Sequence, residues 1–257
     1  MTTVGILGFP VSNRGLQADV DLACRALDDR SVPCCIACAN PHSLVVAASD
    51  PDFAAALKNA ELLLPDGAGI VLAARLLGRP LPGRVAGMDF FLELTRRARG
   101  RGGLRYFFLG SSPAVLQRIV DRLAREVPEI IVCGTASPPF KEDFSEADNA
   151  AMIAAVNAAK ADVLWVGMTA PKQEKWIQAN RGRLAVPVIG AIGAVFDFYA
   201  GTRQRAPQWV CDLGLEWLPR LVREPRRLWR RNFISTPVFL ARVLKQRFGR
   251  PSRSSPA

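Results

Sequence analysis

At 257 residues, 49% hydrophobic and 22% charged, the chain has the make-up of a globular protein with one large domain, alone or with an appendage. No run of 18 or more apolar residues occurs, so no spanning helix is expected, and the opening MTTVGILGFPVSN lacks the basic start and apolar core of a signal peptide. The charge is unevenly placed: from Arg203 onward 13 Lys+Arg stand against 3 Asp+Glu, a net of +10 out of +11 for the whole chain, which points to an anionic partner such as a membrane surface, a nucleic acid or an anionic substrate.

Residues 4–7 read as a first strand and residues 17–28 as a helix with Val20, Ala23, Cys24 and Leu27 on one face. Asp19-Val-Asp21 has the spelling of a metal-binding DxD, but residues i and i+2 of a helix point about 200° apart, so it is not read as a chelate. Residues 34–39 read as a strand ending at Asn40-Pro41. Asp50-Pro-Asp52 reads as the cap of a helix over 53–59, not as a second DxD. Residues 62–64 form a short strand running into Pro65-Asp66-Gly67-Ala68-Gly69, where glycines let backbone approach a ligand closely, and a helix follows with Ile70, Val71, Ala74 and Leu77 at helical spacing. Asp66 thus falls at a strand-to-helix junction, a seat for a catalytic acid or base and equally for an N-cap; spacing alone favours the cap.

A loop over 81–87 carries Arg84, and Asp89 reads as the cap of a helix over 90–99. Residues 105–109 read as a strand, and Gly110-Ser-Ser-Pro113 opens a helix to Glu126 with a small-residue, phosphate-friendly N-terminus that is weak as a signal by itself. Residues 130–132 read as strand, 135–140 as loop and 145–160 as an alanine-rich helix. The unbroken apolar run in 162–168 reads as a strand buried on both faces. Pro171 then suits a first helical turn, so Lys172, Gln173 and Glu174 cluster where a helix begins past the carboxyl end of a strand. A solvated helix N-terminus reads equally well there. Residues 186–191 form another strand, followed by an aromatic patch of Phe196, Phe198 and Tyr199. The regular β/α alternation over 1–200 predicts an α/β, Rossmann-like core with a mainly parallel sheet.

Of six cysteines, Cys35 and Cys38 spell CxxC, but on a strand they face opposite sides; buried reduced thiols in a cytosolic protein are the simpler reading. The single histidine, His42, argues against a His-based metal site. Beyond residue 202 the character changes. Over 203–248, Arg223, Arg226, Arg227, Arg230 and Arg231 interleave with Trp217, Leu221, Leu228, Trp229 and Phe233, the pattern of a helical, basic, membrane-interface appendage. Residues 249–257 read as a disordered tail.

Seven motifs in order, PDGAG at 65–69, GRVAGMD at 83–89, FFLGSS at 107–112, APKQEKWI at 170–177, GAIGAVFDFYAG at 190–201, RAPQW at 205–209 and LEWLPRLVREPRR at 215–227, give the chain a resemblance to the WecG/TagA/CpsF family of bacterial glycosyltransferases. The resemblance implies an inverting, metal-independent transfer of a sugar, such as N-acetylmannosamine or its uronic acid, from a UDP donor to a polyprenyl-diphosphate-linked glycan in cell-envelope polysaccharide synthesis. No cofactor is implied, the UDP-sugar being a substrate. The family's base maps onto Asp66, its active-site glutamine onto Gln173 and its RVxGxD arginine onto Arg84. Asn40, Gly67, Gly69, Gly110, Lys172, Glu174 and the appendage arginines Arg220, Arg227 and Arg230 fall on the substrate-binding motifs. Three positions depart from the pattern: Cys38 stands where threonine is common, the PKQE run is preceded by Gly167-Met-Thr169-Ala, and Pro219 replaces an aromatic residue. The resemblance implies a cytoplasmic protein, peripheral on the inner face of the membrane, that does not bind nucleic acid; a homo-oligomer is compatible with it.

Two other functions compete on residues alone. A nucleotide-cofactor oxidoreductase would use the same fold, but no strand here leads into GxGxxG with a downstream acidic residue. A nucleic-acid binder would use the basic tail, whose Trp and Leu content suits lipid better.

Overall fold

The computed structural model describes residues 1–204, 206, 207, 210, 221 and 229–249, with 230–232 described in backbone only. Strands β1 (Thr3–Ile6) and β2 (Phe9–Ser12) form an antiparallel hairpin of their own. The other six strands, β3 (Cys34–Ala39), β4 (Leu62–Pro65), β5 (Arg105–Gly110), β6 (Ile131–Ala136), β7 (Val163–Gly167) and β8 (Val188–Ala191), make one sheet in the order β4-β3-β8-β7-β5-β6, with every pairing parallel. The helices are α1 (Leu16–Asp29), α2 (Pro41–Ala47), α3 (Pro51–Lys58), α4 (Ala68–Leu76), α5 (Gly87–Ala98), α6 (Pro113–Glu126), α7 (Glu146–Ala158), α8 (Lys172–Asn180), α9 (Gly193–Tyr199) and α10 (Thr236–Phe248).

Helices cover both faces of the sheet, so its central strands are apolar throughout, and β7 is buried at all five positions. On one face Ile36, Leu64, Phe108, Trp165 and Val188 pack against α1, α5, α6 and α9. On the other, Leu109, Leu164, Val166 and Ile189 meet α7 and α8. Ala37, Ala39 and Leu63 on that same side meet α2, α3, α4, the hairpin and α10. Trp165 fits between strands because Gly190 on β8 has no side chain; a Cβ there would stand 2.3 Å from the indole.

Caps mark where several helices begin. Asp50 accepts from Phe53 N at 3.0 Å, and Ser112 from Val115 N at 3.3 Å. Ser145 with Asp148, and Asn40 with Ser43, close reciprocal capping boxes.

Several sequence expectations change. The first strand is followed by a second, not by a helix. The two-residue turn Leu7-Gly8 has positive φ at both positions (50° and 81°), the geometry of a tight hairpin, with Leu in the place where Asn or Asp would have signalled it. Helix α2 directly follows β3. Asp89 does not cap α5, which begins earlier, at Gly87, with Ala86 in the cap position; Asp89 lies in the first turn and pairs with Arg84 at 3.4 Å. β6 extends through Ala136 into the expected loop, because Phe107 to Leu109 of β5 pair with Gly134 to Ala136 beyond a register shift.

The segment after residue 202 ends in α10, which is part of the core packing. Phe239 and Val243 are wholly buried in the cluster that holds Val4, Ile6, Phe9 and Ile70. Gln246 ties α10 to the hairpin, accepting from Leu7 N at 2.8 Å and donating to Gly5 O at 3.0 Å. His42 Nδ1 lies 2.9 Å from Ser235 Oγ.

Candidate active site

In a parallel sheet the loops after the strands share one edge, and a crevice opens where helices from neighbouring strands leave to opposite faces. That happens between β5 and β7: α6, after β5, covers the face with Trp165, and α8, after β7, covers the face with Val166. It happens again between β7 and β8, since α9 returns to the first face. The carboxyl edge of these strands carries Asn40, Asp66, Gly110, Thr169 to Glu174, and Gly193.

Asp66 follows β4 at the sheet's margin. Its main-chain N–H donates to Ala39 O at 2.8 Å and to Leu64 O at 2.9 Å, which fixes the junction. Gly67 at φ 120°, a region that favours glycine, occupies the cap position of α4, and no side chain caps that helix. The half-buried Asp66 is therefore not the α4 cap that its spacing suggested. Arg84 joins this corner, because Val85 N bonds to Pro65 O at 3.0 Å; its guanidinium is largely enclosed and lies against Asp89.

Cys38, the next-to-last residue of β3, links the two halves of the site. The Gly87 main chain donates to its thiol, and a Cβ on Gly87 would stand 3.3 Å from the sulfur. Burial pushes the thiol's pKa well above its usual range, and the nearby Asp66 and Glu174 carboxyls push the same way. Cys38 therefore feels the charge of both carboxyls, one after β4 and one on α8. Gln173 and Glu174 are both buried, and Gln173 Nε2 donates to Glu174 Oε1 at 2.9 Å. Burial raises Glu174 to about 7; the hydrogen bond from Gln173 opposes that rise. Among the described residues, Gln173 Oε1 and Glu174 Oε2 are buried with no hydrogen-bond partner.

Other expected site residues have local work. Asn40 caps α2, its Oδ1 accepting from Ser43 N at 3.0 Å. Gly69 is required by packing: a Cβ there would stand 2.5 Å from Pro41 Cγ. Gly110, at φ 115°, lets β5 lie against β7, since a Cβ would meet Gly167 O at 2.4 Å. Lys172 turns away from Gln173; its ammonium bonds to Lys141 O and sits 3.7 Å from the centre of the Phe144 ring. Arg220 and Arg227 lie outside the described residues, as does the Arg230 side chain.

Gly193 falls within the motif at 190–201 but was not singled out as a site residue. A Cβ there would stand 2.6 Å from Gln173 Oε1, so this glycine makes room for the amide. Only its place in a Gly-rich run between a strand and an aromatic helix signalled it. Of the two acidic look-alikes, Asp19 is wholly buried and accepts from Ser12 Oγ at 2.6 Å, while Asp21 pairs with Arg97 at 2.9 Å. Asp50 caps α3 and pairs with Lys175 at 3.0 Å. The five described cysteines are free thiols.

Fold and crevice together define an open α/β enzyme with its acidic and amide groups at the carboxyl edge of a parallel sheet. Comparison with known proteins gives the class: residues 4–253 match the glycosyl transferase WecG/TagA/CpsF family, and the chain belongs to it. It is a glycosyltransferase. A protein of Bacillus spizizenii is 34% identical over 210 residues, covering 82% of this chain and 78% of that one. One of Bacillus subtilis is 31% identical over 246 residues, covering 96% and 93%. One of Staphylococcus aureus is 26% identical over 210 residues, covering 82% and 79%. All three are named N-acetylglucosaminyldiphosphoundecaprenol N-acetyl-beta-D-mannosaminyltransferase.

Proposed function

We propose that this chain moves N-acetylmannosamine, or a close relative of it, from a UDP donor to an N-acetylglucosaminyl-diphosphate-polyprenyl acceptor, with inversion and without a metal ion. The family and its named relatives support the sugar and the acceptor. The observation that supports the chemistry best is Asp66: a half-buried carboxyl at a strand end that does not cap α4, close enough for its charge, like that of Glu174, to act on Cys38. In this reading Asp66 takes the proton of the acceptor hydroxyl as that oxygen bonds to the anomeric carbon. The bond from that carbon to the diphosphate breaks, and its electron pair leaves with UDP. Arg84 meets the growing negative charge, helped by Arg220, Arg227 and Arg230. Asn40, Gly67, Gly69, Gly110, Lys172 and Glu174 are then read as the frame of the pocket more than as ligand contacts.

A lipid-linked acceptor requires access to a bilayer. No helix among the described residues is long and apolar enough to cross a membrane. Trp229, Phe233, Ile234, Val238, Leu244 and Phe248 are exposed along the end of the chain, which also carries the +10 charge. We read this stretch as a peripheral anchor to an anionic surface, each cation adding about 1 kcal/mol. Pelleting with anionic vesicles checks this: Trp229→Ser with Phe233→Ser should lower the bound fraction, and unchanged pelleting refutes the anchor.

UDP release with a panel of UDP-sugars and a short-chain polyprenyl-diphosphate acceptor tests the activity. Asp66→Asn should slow turnover by about a hundredfold or more with Tm unchanged. Turnover near that of the wild type would remove Asp66 from the role of base.

A further inference from the structure

Gln173 and Glu174 open α8 side by side, each only 5% exposed. The bond from Gln173 Nε2 to Glu174 Oε1, 2.9 Å long, decides which end of the amide faces which way. The nitrogen turns to Glu174, so Oε1 turns toward Gly193, where it lies 2.6 Å from the place a Cβ would take. Thr169 N is 3.3 Å from that same point. The missing side chain of Gly193 therefore gives the amide oxygen the room it occupies.

That oxygen is buried with no hydrogen-bond partner among the described residues. A buried acceptor without a donor is destabilising, so its retention is explained if a ligand brings the hydrogen. An amide whose two ends differ only as O and NH₂ can rotate, and the rotated form would present a donor where an acceptor is needed. Glu174, when ionised, blocks that rotation, because a carboxylate beside Gln173 accepts from Nε2 and repels Oε1.

We propose that Glu174 is a positioning residue that holds the Gln173 amide with its oxygen over Gly193, so that Gln173 accepts a hydrogen bond from a hydroxyl or amide N–H of the sugar substrate. The inference rests on the crevice being the glycosyl-transfer site, and the experiment separates the two claims.

The full-length protein is compared with E174Q, E174L, Q173A and the double variant Q173A/E174L, using UDP release from UDP-N-acetylmannosamine with a lipid-linked N-acetylglucosamine acceptor. E174Q keeps a hydrogen-bonding partner for the amide but can bond either of its ends, so it should lower kcat by about threefold, while E174L, which bonds neither, should lower it by about thirtyfold. The double variant should be no slower than Q173A by more than about twofold, because a residue that acts through Gln173 has nothing left to position. Losses that multiply in the double variant, or an E174L rate equal to that of the wild type, would overturn the proposal. The Gln173 side-chain NH₂ signal, assigned by its absence in Q173A, gives a readout without turnover. It should move in E174L, where the bond is lost, by more than in E174Q, where a weaker bond replaces it; a signal unmoved in E174L overturns the positioning role. If the wild type released no UDP from any donor, the glycosyl-transfer reading would fail while this signal still decided the Glu174–Gln173 contact. E174M is the second apolar variant should E174L yield no folded protein.

Discussion

Glu174 also makes a prediction about stability. Burial raises its carboxyl to about 7 in the folded protein, whereas an unfolded chain titrates it near the ordinary value of 4.5. Below pH 4.5 the group is neutral in both states. Between about 4.5 and 7 the unfolded state has released the proton and the folded state has kept it, so stability falls as pH rises; above 7 both states are ionised and the loss levels off. The contribution across that window is about 3 kcal/mol, from 1.36 kcal/mol per unit of pKa difference. For a protein of this size it corresponds to a Tm change of roughly 6–12 °C. Thermal unfolding of wild type and Glu174→Leu at half-unit steps from pH 4.5 to 8 isolates it, because every other carboxyl titrates alike in both and cancels in the difference. The wild-type curve should decline toward neutral pH relative to the variant. Parallel curves would show that Glu174 titrates as an ordinary exposed carboxyl and would refute the account of a buried acid beside Gln173.

Other consequences follow from particular contacts. Phe239 of α10 is wholly buried against the hairpin and α4, so Phe239→Ala should cost about 3–5 kcal/mol, read as a shifted urea midpoint; a change within error would mean that α10 does not close this core. The same burial argues that cutting the chain after residue 202 removes part of the core as well as the basic segment. Turnover should survive EDTA, since both acidic look-alikes have other partners: Asp19 accepts from Ser12 and Asp21 pairs with Arg97, while Asp50 caps α3 and pairs with Lys175. Loss of turnover in EDTA with recovery on adding Mg²⁺ or Mn²⁺ would contradict the metal-free reading.

The sequence alone determined the layered α/β core. Short apolar runs such as Val163–Gly167 and Cys34–Ala39 have no polar face, so they can only be strands covered on both sides, and caps such as Ser112, Ser145 and Asp50 fix helix starts through bonds made within four residues. Ordered motifs pointed to the enzyme family as well. What lay beyond the sequence was anything set by residues far apart in the chain. Whether Asp66 capped a helix depended on Gly67 taking that place, and Asp89 was drawn from its expected cap by Arg84. That Gly69 and Gly110 are also demanded by packing, against Pro41 and Gly167, could not be read from their spacing. The carboxyl-terminal segment read as a basic membrane-interface appendage because its charge dominates the local composition; that Phe239 and Val243 also join the core was hidden because the buried residues they pack with all lie at position 81 or earlier. The orientation of the Gln173 amide is set by a neighbouring carboxyl and by a side chain absent from Gly193. Burial gives both their effect, and only the tertiary structure creates that burial.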